Sequence, residues 1–259
     1  MAGNPYGYSN PFPGTTTNTP VTAGPSASTT TTSTATAEPV IAEKIRRHPH
    51  YYLNGGDVHF LVENYLFRVH RYFFERESHY FRERLSLPAN PGQQAKGSAD
   101  NNPFPLDDVQ AIDFSRFLWV FYNPKYSIYN AGIDDWSAIL KLAFEWKFTE
   151  VKALALRELE RFQIDPVQKI DLYQRYEVDR KLLIPSFALL TFRPEPLNLQ
   201  EGRRLGLETA LLLAEAREYA RGKRTTSGGH TPISATVDQQ QMEGVIATVF
   251  NIDTTVAPP

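Results

Sequence analysis

Six histidines and no cysteine make up the metal-binding and thiol inventory of the 259-residue chain. His48, His50, His59, His70 and His79 crowd one stretch, but no two of them stand one helical turn apart. Without thiolates the closed zinc sets are also out of reach, so neither metal nor cofactor is expected. The missing cysteines exclude disulfides and thiol catalysis, which fits a reducing compartment. Glu75, Glu77, Glu83, Asp107 and Asp108 fall on predicted exposed faces or caps, where a carboxylate needs no catalytic role. Gly55 and Gly56 precede a strand pattern, the wrong order for cradling a phosphate. No G-x-S-x-G elbow or H-E-x-x-H motif occurs. The residue chemistry therefore points away from an enzyme and from a small-molecule substrate. One polar pair remains. Asp57 opens a strand pattern and Arg71 opens a helix pattern; if the fold brings them close, a structural ion pair fixing strand to helix would cost much when one partner is removed.

The elements that position this pair lie between Gly55 and Leu85. Val58, Phe60 and Val62 alternate with His59, Leu61 and Glu63, and alternation resumes through Tyr65, Phe67 and Val69. A period of two in aromatic and β-branched residues predicts two strands. Glu63-Asn64 between them predicts a tight turn, with Asn64 taking the left-handed conformation. The pattern then turns helical at Tyr72, Phe73 and Phe74. Ser78 reads as the cap of a second helix carrying Phe81 and Leu85 one turn apart.

Around that core the chain reads as follows. Residues 1–40, rich in Thr, Ser, Pro, Ala and Gly, are expected to be a disordered tail, either passive or a phosphorylated or glycosylated regulatory arm. Ile41 to His50 reads as a short basic, solvated lead-in. Residues 88–103 read as a mobile surface loop. Phe104-Pro105-Leu106 would be a very short edge strand. Asp107 or Asp108 is expected to cap a helix in which Phe114, Phe117, Leu118 and Phe121 form a stripe. That stripe reads first as core and second as a partly exposed interaction face. Asp134 or Asp135 caps a helix bearing Trp136, Ile139, Leu140, Ala143 and Phe144. Thr149 caps the next, with Val151, Leu154, Ala155, Leu159 and Phe162 inward. Asp165-Pro166 starts a further helix, another runs from about Pro185 to Phe192, and the capping box Asn198/Glu201 opens a helix reaching Tyr219. After a linker, Met242, Val245, Ile246, Val249 and Phe250 form a short amphipathic helix that either packs back on its own domain or docks on a partner.

Asp57-Val58, the run Phe67-x-Val69-His70-Arg71 and Ser78-x-x-Phe81 together resemble the opening signature of BTB/POZ domains. FLWVFYNPKYSIY and WSAILKLAFEWKFTEVKALALREL further resemble BTB proteins abundant in mushroom-forming (basidiomycete) fungi. The resemblance spans roughly Arg46 to Arg221. It implies an α+β fold, a small sheet flanked by helices, with a BTB/POZ domain over 41–163, a helical extension over 164–221, and a linker and short helix over 222–259. It also implies that Asp57 and Arg71 lie near a charged pocket at a dimer groove, and that partners bind near the helix carrying Phe114, Phe117 and Phe121. Family dimers often use the first helix and an exchanged N-terminal strand. Ile41 to His50 shows no amphipathic helix ahead of the domain, a departure from the exchanged type.

A formal net charge of −2 and a pI near 6.3 give no reason to expect nucleic-acid binding. No apolar run approaches the ~20 residues of a membrane span, and the first residues lack a secretory signal pattern. A cytoplasmic or nuclear protein is expected, in one compact unit with tails. The function expected is a non-enzymatic module for homo- or hetero-oligomerisation and partner recruitment, its partners being itself, other BTB proteins or a cullin. The alternative is a substrate adaptor for a cullin-type ubiquitin ligase, although no substrate-binding domain is legible after Arg221. A channel tetramerisation domain fails for want of a membrane span.

Overall fold

The computed structural model describes residues 44–86, 94–126, 129–221 and 239–254. The tail expected over 1–40, the first part of the loop expected over 88–103 and the linker expected after Arg221 lie outside them. The chain divides between Tyr129 and Asn130 into two compact units rather than the single unit expected.

In the first unit the strands are β1 (Arg46–Tyr52), β2 (Val58–Val62), β3 (Tyr65–Val69) and β4 (Phe104–Pro105), in the order β1-β3-β2-β4. β2 and β3 form the predicted antiparallel hairpin, with Val62 opposite Tyr65. The positive φ of its turn falls on Glu63 (φ 53°) and not on Asn64. β4 pairs parallel with β2 at the edge. β1 is a strand where the sequence read as a solvated lead-in; it pairs parallel with β3, with a register break between Arg47 and Tyr52. Gly56 carries the chain across β3, where a Cβ would stand 2.8 Å from the Arg68 carbonyl carbon and the Val69 nitrogen. Only glycine allows so close a backbone approach.

Helices α1 (Arg71–Glu77), α2 (His79–Ser86) and α3 (Ala111–Tyr122) cover this sheet. Ser78 separates the first two, and its Oγ accepts from the Phe81 N–H (3.2 Å). Phe60, Phe67, Phe74, Phe81 and Phe114 are fully buried and meet ring to ring, Phe60 on Phe74 at 4.8 Å and Phe67 on Phe114 at 4.9 Å. Alternation on the strands and i, i+3 spacing on the helices send these rings to one place. Truncating any of them to alanine should cost ~3–5 kcal/mol. The start of α3 differs from expectation. Neither Asp107 nor Asp108 caps it; its Ala111 N–H donates to Glu63 Oε2 in the hairpin turn (3.1 Å).

The second unit is helical: α4 (Ile133–Glu145), α5 (Thr149–Leu159), α6 (Pro166–Arg175), a 3-10 turn at Arg180–Leu183, α7 (Ile184–Phe192), α8 (Leu199–Leu205), α9 (Leu207–Arg221) and α10 (Gln239–Val249). Asp135 at the third position of α4 accepts from the Gly132 N–H (3.0 Å), while Thr149 is already the first residue of α5. Asp165 Oδ1 accepts from Gln168 N–H at 3.0 Å, and Asn198 and Glu201 form the expected reciprocal box. The α4–α5 pair is tied to α6 and its following loop. Tyr173 donates to Glu160 (2.5 Å), and Lys152 Nζ donates to the Tyr176 carbonyl (2.8 Å). These bonds explain why α4 and α5 share a unit with the helices that follow.

Two further expectations fail here. Phe162 is not inward but 36% exposed, because α5 ends at Leu159 before it can be turned in. The helix expected from Asn198 to Tyr219 breaks at Gly206 (φ 82°), so Leu213 rather than Leu212 is buried beyond the break. The C-terminal helix packs within its own unit. Met242 and Ile246 of α10 are fully buried, and Phe250 stacks on Phe187 at 4.1 Å.

Candidate functional site

Asp57 and Arg71 are neighbours, but not as an ion pair. Asp57 Oδ1 accepts from the backbone N–H of Arg71 (2.7 Å), occupying one of the unpaired donors that open α1. The Arg71 guanidinium turns the other way, to Glu75 Oε1 (3.2 Å) and the Leu85 carbonyl (3.2 Å), and joins α1 to the end of α2. The head of α1 attracts an anion through its own N–H groups, which leaves the guanidinium free to serve elsewhere.

Phe114 and Phe117 are buried at 0% exposure, so neither presents a surface. Phe121, on the same stripe, is half-buried and stacks on Phe73 of α1 (5.0 Å, 28° between planes). Around it lies a band of rings that reaches solvent. Tyr72 is 60% exposed and lies 5.6 Å from Phe73. Tyr122 stands edge-on to Phe73 at 5.6 Å and meets Tyr51 of β1 at 6.0 Å. The Tyr122 hydroxyl accepts from the His70 N–H and also meets His70 Nδ1, both at 3.0 Å. Burial raises the phenol pKa of both Tyr51 and Tyr122 above its ordinary value. The Arg76 guanidinium sits 4.9 Å from the Tyr72 ring centroid and donates to its hydroxyl. An aromatic band with a cation beside it is the composition of a protein-recognition surface.

β1 is held to this face by His48. Its ring stacks on Phe67 (4.4 Å), and its Nδ1 accepts from the N–H of Tyr51 (3.1 Å) and of His50 (3.3 Å). Ser115 donates to the Ala111 carbonyl, so the 3.1 Å contact to Ser115 Oγ assigns the His48 proton to Nε2. Burial, with His50 adding to it, pushes the His48 imidazolium down to about 4. On the other side of β1, Asp100 accepts from Tyr52 (2.7 Å) and Arg47 (2.9 Å) and meets His59 Nε2 at 3.1 Å. The described part of the expected mobile loop is therefore anchored. Desolvation alone would raise the Asp100 pKa, but the bonds from Tyr52 and Arg47 hold it below the usual carboxylate value.

Sequence reasoning thus named Asp57, Arg71 and Phe121 near this face and missed His48, Tyr51, Tyr72, Phe73, Tyr122 and Asp100 as its makers. The available signal was HPHYY, an aromatic run just ahead of the hairpin. Among the described residues no cluster of three His, Asp or Glu side chains is placed to hold a metal ion. No described helix is long and apolar enough to cross a membrane.

A small mixed sheet lies under three helices and presents aromatic side chains on one flank, the architecture of the family matched here, whose domains are protein-interaction modules. Residues 52–163 match the BTB/POZ domain family, and the chain carries a BTB/POZ domain there, from the last residue of β1 to just beyond α5. Comparison with curated proteins gives no match.

Proposed function

We propose that this chain is a non-enzymatic module that self-associates and recruits protein partners through its BTB/POZ domain. The observation carrying this reading is the aromatic band Tyr72–Phe73–Phe121 with Arg76 beside it. A pair of copies joined there would cover Tyr72, which is 60% exposed in the single chain. The partition into a domain over 41–163 and a helical extension over 164–221 belongs to this proposal, as do a cytoplasmic or nuclear location and partners that exclude nucleic acid, membrane and small molecules. A basidiomycete origin, which the likeness of the α3–α5 residues supports, is part of the same reading. Sedimentation equilibrium of the full chain tests the reading. A dimer mass at about 50 µM, shifted to monomer by Tyr72→Glu, is the expected result. A parent that stays monomeric overturns self-association.

The second reading, a cullin adaptor, is supported by helices α6–α9, which continue past the matched residues and pack with α4 and α5 in one unit. Calorimetric titration of the full chain with a cullin N-terminal domain is its test. Micromolar binding favours it, and the absence of heat from a folded sample removes it.

A further inference from the structure

The break at Gly206 turns α9 away from α8, and beside it lies a groove of about 460 Å³. Leu183 and Leu205, both buried, lie in its lining with Val178, and Leu207 projects from its rim at 77% exposure. One turn along α9, Leu211 is 61% exposed, and Ala214 continues the same stripe. Two leucines at i and i+4, left in solvent beside a groove lined by both apolar and polar side chains, form a face that folding of this unit does not use.

Along α9 the exposed charges beside this face are acidic, while α8 just ahead of it carries the exposed Arg203 and Arg204, the latter donating to Asp171 (2.7 Å). Over 207–220 the exposed ionisable acids and bases are Glu208, Glu215 and Glu218. The cation of that segment, Arg217, is buried and donates to the carbonyls of Leu190 (2.7 Å), Arg193 (2.9 Å) and Pro194 (3.2 Å) at the end of α7. At the groove Glu177 and Glu208 stand against a single cation, Arg180. Two copies of α9 laid face to face would oppose acid to acid, so a second copy of this chain is a poor occupant.

We propose that the groove and the Leu207–Leu211 face of α9 dock a basic amphipathic helix of a partner protein. One apolar side chain of that helix enters the groove against Leu205 and Leu207. A second, one turn on, covers Leu211. Its flanking lysines or arginines face Glu208, Glu215 and Glu218. This inference concerns residues beyond the matched domain and stands or falls independently of self-association through α1.

The probe is a peptide of about 14 residues built from leucine and lysine with leucines at helical i, i+4, i+7 spacing, alongside the same peptide with glutamate for lysine. Titrated into the full chain and followed by fluorescence anisotropy, the lysine peptide is expected to bind at about 10 µM. It should weaken about tenfold on going from about 50 mM to about 500 mM NaCl. Leu211→Ser should weaken it about tenfold and Glu208→Lys about threefold. Both positions are exposed, and unchanged circular dichroism verifies the fold of each variant. Equal binding of the two peptides, or binding indifferent to Leu211→Ser, overturns the proposal. So does a dimeric parent that Leu211→Ser converts to monomer, since the occupant would then be a second copy.

Discussion

Glu63, in the turn of the β2–β3 hairpin, accepts the N–H of Ala111 at the head of α3 (3.1 Å), across 48 residues of chain. The turn holds Glu63 at φ 53°, a conformation that costs an L-residue roughly 1 kcal/mol. The same residue therefore carries a local strain and a distant cap. Glu63→Ala removes the cap and keeps the strain, and should destabilise by about 1–2 kcal/mol. Glu63→Gly removes both, and should cost about 1 kcal/mol less than the alanine variant. Urea denaturation of the two side by side checks the order.

Asp57 and Arg71 touch through a backbone N–H, so their side chains should not be energetically coupled. Asp57→Ala should cost about 1 kcal/mol by exposing the head of α1. Arg71→Met should cost a similar amount by freeing the Leu85 carbonyl and Glu75. In a double-mutant cycle the two should add to within about 0.5 kcal/mol. A coupling of 2 kcal/mol or more, on the order of a buried ion pair, would contradict the geometry.

His48 makes the fold sensitive to acid. Its pKa is about 4 in the folded chain against 6.5 when free, so on acidification the unfolded chain takes up the proton first. The neutral ring's contribution is fully present above about 6.5, is lost progressively as pH falls toward 4, and changes no further below that. Since the ring is only half-buried, solvent screening reduces the effect to about 1–2 kcal/mol. Thermal melts of the parent and of His48→Gln between these pH values should show the steeper loss in the parent.

Arg217 closes the end of α7 from within the core at 6% exposure. Arg217→Met should destabilise the helical unit by about 2–4 kcal/mol, since several carbonyls lose a charged donor. Lysine lacks the planar fork and should restore less than half of that. Tm measured by calorimetry reads both.

The hairpin was legible because its alternation over Val58 to Val69 leaves one register that buries Phe60 and Phe67 together. The α3 stripe was legible as core for a similar reason, and the resemblance at Asp57, His70-Arg71 and Ser78 led to the domain. Atom-level partners were not legible. The resemblance implies that Asp57 lies near Arg71, but only coordinates decide that the carboxylate takes the backbone and not the guanidinium. The kink at Gly206 was hidden because Leu205 and Thr209 continue one helical period across it, and a glycine inside a period looks merely tolerated. β1 was missed because Pro49 and three basic side chains precede the tyrosines, and a proline inside a run argues against a strand.

That proline, with His48, has a consequence for how the molecule meets its neighbours. Among the described strands β1 is the last on its side of the sheet, where an open backbone ladder invites a foreign strand. Pro49 has no N–H, and the N–H groups of His50 and Tyr51 are both taken by the His48 ring. Three consecutive residues therefore offer no donor to an incoming chain. This stretch of the border is blunted against stacking and fibre growth, and a neighbour docking on it meets side chains in place of backbone donors.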